Sequence, residues 1–68
     1  MNDIDRQIRH CENHVIGATW KWRARYKDMQ VAKMFGGTTE YCAQINLEIE
    51  EKALAEAVDR LDEARAAN

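Results

Sequence analysis

The sequence predicts an all-α fold, an antiparallel hairpin of two long helices, and three observations support this. Apolar residues recur every three or four positions in both halves of the chain, which is the spacing of a helix face. The stretch Gly36-Gly37-Thr38-Thr39 interrupts that pattern, because glycine weakens helices and adopts the positive φ that ends them. We expect Thr38 or Thr39 to cap the second helix, because a threonine hydroxyl accepts from its first free backbone N–H groups. The chain has no proline that would force another break. We expect one domain over residues 1–68, with a helix over about 3–35, a turn at 36–39 and a helix over about 39–66.

The first helix has one continuous apolar face. Asn2 or Asp3 can cap its start, because short polar side chains accept from the first free backbone N–H groups. The spacing of four and three residues then predicts a core stripe made of Ile4, Ile8, Cys11, Val15, Ala18, Trp22, Tyr26 and Met29. Gly17 lies within this helix, and we expect it to allow a close approach of the helices beside Trp20.

A second set of side chains on the first helix falls on roughly the opposite side from this stripe. A two-helix hairpin has no third element to cover that side, so exposed aromatic residues there indicate a contact surface. We predict that a partner protein binds Ile16, Trp20, Arg23, Lys27, Val31 and Phe35. Met34 and Phe35 have another interpretation, since residues beside the turn can also fold over the end of the hairpin.

The second helix is apolar on two sides that lie about 150° apart at 100° per residue. One face consists of Cys42, Ile45 and Ile49, and the other of Leu47, Leu54, Val58 and Leu61. If one face covers the first helix, the other needs a second chain, and we assign the face from Leu47 to Leu61 to a homodimer interface. Two hairpins would then form a four-helix bundle. Alternatively, the second helix twists around the first, and a single stripe drifts from one face to the other.

The length of 68 residues makes such association reasonable, because a lone core of this size rarely supplies more than about 3–5 kcal/mol. A disulfide is not expected to help. In an antiparallel hairpin Cys11 and Cys42 would lie about 30 Å apart, far beyond disulfide reach. The start of the chain does not resemble a secretion leader, and no apolar run approaches the roughly 18 residues of a membrane span. We therefore expect a cytoplasmic protein with reduced thiols and no membrane partner.

Charge is divided unevenly between the two halves. Residues 1–37 hold seven cations and four anions, whereas residues 38–68 hold three cations and eight anions. In an antiparallel hairpin the basic segment 21–33 lies beside the acidic segment 40–51, which favours that orientation although each exposed pair contributes little.

The segment from Trp20 to Lys27 interleaves four cations with three aromatic residues and suggests an alternative function. Cations neutralise phosphates and aromatic rings stack on unpaired bases, so a nucleic-acid-associated regulator could use this segment. Two observations oppose this: Trp22 and Tyr26 belong to the core stripe, and the isoelectric point is about 5.6. We keep nucleic acid as the less favoured partner.

No pattern in the chain indicates catalysis or a cofactor. His10, Cys11 and His14 share a helix side at a spacing that suits zinc, but no fourth ligand lies nearby in the sequence, so we predict no metal site. The chain lacks serine and a glycine-rich phosphate loop, and a small hairpin cannot enclose a pocket for a small-molecule substrate.

The sequence therefore predicts a small non-enzymatic interaction module, an adaptor or inhibitor that binds and regulates a larger protein. Short helical hairpins without motifs are typical of accessory proteins from bacteriophages and mobile elements, although no residue pattern identifies a family.

Overall fold

The computed structural model describes residues 3–67, and they form two α-helices packed against each other. Helix α1 spans Asp3–Ala32 and helix α2 spans Gly37–Ala66, and each has 30 residues. Of the two predicted caps of α1, Asp3 is the first helical residue, and Asn2 lies outside the described residues. The hairpin is long and thin, with extents of 50 × 15 × 10 Å. The prediction of an all-α hairpin is confirmed.

The turn begins earlier than the sequence suggested, because α1 ends at Ala32 and not near residue 35. The backbone N–H groups of Met34 and Phe35 donate to carbonyls only three residues back, each at 3.0 Å, which tightens the chain out of the α-helix. The N–H of Gly36 then donates to the carbonyl of Ala32 at 3.0 Å, and Gly36 has a φ of 67°. Its ψ is −168°, so Gly36 is not in the αL conformation of the common helix termination but in a region that essentially only glycine adopts.

The start of α2 also differs from the expected threonine cap. The N-cap residue is Gly36, which has no side chain that could cap the helix. Thr38 and Thr39 already lie in the first helical turn. The prediction that a threonine caps α2 is wrong. Glu40 in the first turn gives some compensation, because its negative charge lies near the positive end of the helix dipole.

The core of the hairpin is a narrow seam with few large side chains. Four of the seven buried residues are alanines, and the full set is Ala18, Met29, Ala32, Leu47, Ala57, Leu61 and Ala64. The predicted stripe of α1 follows this seam: Ala18 and Met29 are buried, and four more of its residues are half-buried. Its two most exposed residues are Ile4 and Tyr26, at 39% and 44% exposure.

The face of α2 that covers α1 is the one with leucines at seven-residue intervals. Leu47 and Leu61 are buried and Leu54 is half-buried, whereas Ile45 and Ile49 remain 39% and 58% exposed. A single chain thus already buries two of the four residues assigned to the dimer interface. Their contact with a second chain stays a prediction, with less free surface than the sequence suggested.

Two polar contacts fix the antiparallel register of the helices. The Nε1–H of Trp22 donates to Oε1 of Glu51 at 3.3 Å, and Nη2 of Arg65 lies 3.9 Å from Oε2 of Glu12. The first contact joins the segments 21–33 and 40–51, as the charge pattern predicted, but through an indole and not a cation. Trp22 is half-buried, but Glu51, Arg65 and Glu12 are exposed, so these contacts contribute more to register than to stability.

Gly17 does not mark a close approach of the helices. A Cβ atom added at this position would meet nothing within 4 Å, so the prediction of tight packing beside Trp20 is wrong. The absence of a side chain at Gly17 serves no contact within the hairpin.

Substitution of two glycines by alanine should change stability in opposite directions. Gly36→Ala should lower the free energy of unfolding by about 1–2 kcal/mol, because alanine is strained at positive φ. Gly17→Ala should raise it by about 0.5–1 kcal/mol, because alanine favours a helix and nothing obstructs its Cβ. Urea denaturation followed by circular dichroism measures both changes. An increase in the free energy of unfolding for Gly36→Ala, as for Gly17→Ala, would show that the turn does not depend on Gly36.

Truncation of a leucine at the seam should lower the free energy of unfolding far more than truncation of an isoleucine on the outer side of α2. Leu61→Ala should lower the free energy of unfolding by about 2–3 kcal/mol, because it leaves a cavity between the helices. Ile49→Ala is the matched control, and its effect should stay within about 0.5 kcal/mol because that side chain is mainly solvated. The same denaturation experiment compares them, and similar losses would contradict the assignment of the covering face.

Candidate interaction surfaces

The side of α1 opposite the seam forms the first candidate surface. Its residues follow one another at intervals of four, three, four and four, so they line one side of the helix for about 22 Å. Trp20 is 66% exposed, and Ile16 and Val31 are each 55% exposed. We call this surface the α1 edge; it consists of Ile16, Trp20, Arg23, Lys27 and Val31.

A shallow groove of about 260 Å³ lies beside Trp20 on this edge, and it is lined by Val15, Ile16, Thr19, Trp20 and Arg23. The hydroxyl of Thr19 donates back to the carbonyl of Val15 at 2.8 Å, so its proton is already used within the helix. The groove therefore presents apolar surface bordered by the guanidinium of Arg23. An apolar side chain of a partner fits this chemistry.

Phe35, the sixth residue of the predicted partner-binding set, lies apart from the α1 edge. It belongs to the turn beyond the end of α1 and is 74% exposed, and its neighbour Met34 is 82% exposed. The alternative in which these two side chains fold over the end of the hairpin is wrong, because folding over the end would bury them. They form an apolar tip next to Val31.

The outer side of α2 forms a second surface, of which the sequence predicted Ile45 and Ile49 but not Tyr41. Tyr41 is 67% exposed and precedes Ile45 and Ile49 at intervals of four residues. That spacing could have identified Tyr41 from the sequence. We call this surface the α2 edge; it consists of Tyr41, Ile45, Glu48, Ile49, Lys52 and Glu56, all of them exposed.

The basic and aromatic segment from Trp20 to Lys27 does not act as one unit. Trp22 and Tyr26 stack on each other with ring centroids 5.4 Å apart, and Trp22 is half-buried against α2. Nη1 of Arg25 lies 3.6 Å from Oδ2 of Asp28, so part of its charge is balanced within the helix. Trp20 is the aromatic ring of this segment that is most open to solvent. Binding of nucleic acid stays a prediction.

A wider groove of about 430 Å³ lies between the helices near the turn, lined by Arg25, Asp28, Ala32, Thr38, Thr39, Cys42, Ala43 and Asn46. Its charged residues, Arg25 and Asp28, pair with each other. Within residues 3–67, no three His, Cys, Asp or Glu side chains come together as a metal site would require, and this includes the region of His10, Cys11 and His14. Neither helix in that part of the chain has the length and apolar character for crossing a membrane.

Comparisons with known proteins give no relative from which a role could be transferred. No protein-family model, curated protein or solved structure matches this chain. A function for the hairpin therefore has to rest on the surfaces described above.

Proposed function

We propose that this chain is a non-enzymatic protein-interaction module, an adaptor or inhibitor that binds and regulates a larger protein through the α1 edge and Phe35. The observation that carries the proposal is the exposure of Trp20, Ile16 and Val31 along one side of α1, next to two cations. Single apolar residues are ordinary on a surface, but exposed apolar residues aligned on one side of a helix, here with Arg23 and Lys27 between them, are typical of an interface. Trp and Arg are also the residue types most enriched among binding hot spots.

The total surface of the hairpin supports association. The chain exposes 5264 Å², whereas a compact monomer of 7.9 kDa exposes about 4400 Å². The radius of gyration is 15.5 Å, against about 11 Å for a compact domain of this length. The elongated shape accounts for this excess, and it leaves each helix with a long side that a partner can cover.

Self-association is part of this proposal, because a seam built mainly from alanines leaves the hairpin short of buried apolar area. Two hairpins would pair as a homodimer and form a four-helix bundle. Val58 is 38% exposed and Leu54 is half-buried, so both retain surface that a second chain can cover. Leu47 and Leu61 are already buried within the hairpin. Positions opposite the α1–α2 seam point outward in such a bundle, so both edges stay uncovered.

A cytoplasmic location accompanies the proposal. Cys11 is half-buried and Cys42 is exposed, and they are not bonded to each other. Unpaired thiols are the usual state in a reducing compartment.

Purified protein at about 10 μM should have the mass of two chains by light scattering, since the hairpin alone buries too little apolar surface. Chemical denaturation should then depend on protein concentration, because unfolding separates the copies. A cooperatively folded monomer at this concentration would contradict the homodimer while leaving the binding of a larger protein to be judged by the next experiment.

Trp20→Ala should abolish capture of the target from a lysate of the source organism while leaving the helical content and the unfolding midpoint nearly unchanged. The reason is that the side chain is 66% exposed and outside the seam. A loss of about tenfold or more in affinity is expected for a hot-spot tryptophan. Tyr41→Ala provides the matched control, because it removes an equally exposed aromatic ring from α2. Unchanged capture by the Trp20 variant would mean that the docking face was wrongly chosen.

A further inference from the structure

The two edges carry opposite charge. On the α1 edge, Arg23 and Lys27 are the charged residues, and both are cations. On the α2 edge Glu48 and Glu56 are anions with one cation, Lys52, between them. The same side of α2 continues toward its end with two more exposed anions, Asp59 and Glu63. Each edge also presents three large, exposed apolar side chains, so the two surfaces are complementary in charge and alike in apolar character.

We propose that the α1 edge of one copy binds the α2 edge of a second copy, with the two helices antiparallel. This inference rests on the proposed function, which treats the α1 edge as a binding surface and leaves both edges uncovered within the dimer. It goes beyond that function because it names an occupant that the chain itself supplies. The occupant of the α1 edge is α2 of the second copy, whose exposed side combines apolar residues with an excess of anions.

An antiparallel contact between copies can be placed at the level that the hairpin itself uses, where Trp22 reaches Glu51. At that level Lys27 comes near Glu48 and Val31 comes beside Tyr41, whereas Arg23 lies between Ile49 and Lys52. Gln44 donates to Oε1 of Glu48 at 3.0 Å, but a carboxylate accepts several hydrogen bonds and can still pair with a lysine.

Charge selects this pairing over the alternatives. Two α1 edges would bring cations against cations. Two α2 edges would bring an excess of anions together, which Lys52 reduces but does not cancel. Exposed ion pairs add little affinity but strongly affect which surfaces meet, while Trp20, Ile16 and the apolar residues of the α2 edge supply the buried area. The contact of unlike edges is therefore the favoured one.

A contact between unlike edges has a consequence for assembly. Because the contact joins unlike edges, free edges of both kinds remain after each contact, and the assembly grows or closes into a ring. A target protein on the α1 edge blocks this growth. Self-assembly thus competes with the target for the α1 edge. At high protein concentration a smaller fraction of the α1 edges is free to bind the target.

The test is sedimentation velocity on the full chain at about 10 μM and about 500 μM, in about 0.05 M salt and in about 0.5 M salt. The wild-type protein should grow beyond the dimer at the higher concentration, and high salt should reduce this growth. The double variant R23E/K27E should need about tenfold more protein for the same mean mass, and so should E48K/E56K. A mixture of equal amounts of the two variants should restore growth, because each then meets a complementary edge.

The control variant K21E/K33E changes the net charge as R23E/K27E does, but at positions outside the α1 edge, and it should grow like the wild type. Circular dichroism checks that every variant is helical. A wild-type protein that remains a dimer at about 500 μM would overturn the edge contact and leave the dimer intact. Growth of either edge variant alone at the same concentrations as the wild type, or no recovery in the mixture, would also overturn it. Loss of target capture on Trp20→Ala tests the proposed function separately.

Discussion

The hairpin depends on a single seam between two helices of equal length. Each helix can cover only one side of the other, and within residues 3–67 there is no third element to cover the rest. Small side chains such as Ala57 and Ala64 let the helices approach closely along this seam, yet they bury little area each. Eleven large apolar residues within 3–67 therefore remain exposed, and the candidate surfaces follow from that constraint.

The outward surfaces divide by helix. The α1 edge combines a tryptophan and aliphatic residues with cations, and the α2 edge combines a tyrosine and isoleucines with anions. Within one chain the same difference in charge favours the antiparallel orientation of the helices. The ion pair between the helices, Arg65 with Glu12, runs against this division, because its cation lies in the acidic half. The proposed contact between copies would use the same division of charge a second time.

Much of the fold followed from local patterns. The spacing of Ala18 and Met29 with their neighbours predicted the seam side of α1, and the outward position of Trp20 follows from the same period. The ends of the helices were less predictable. Met34 and Phe35 continue an apolar pattern, but their backbone bonds reach only three residues back, so α1 ends before them. Propensity does not distinguish these two geometries at a helix end.

The sequence by itself determined that this chain forms two helices, where they turn, and which side of α1 is buried, because period and glycine chemistry are local properties. Only the tertiary structure decided which side of α2 meets α1. Both Leu47 and Ile45 belong to apolar faces, and hydrophobicity alone does not rank them. The leucine face buries against α1 because alanines beside it allow close contact, and the isoleucine face is left exposed. This choice depends on the fit of two surfaces, which neither helix encodes alone.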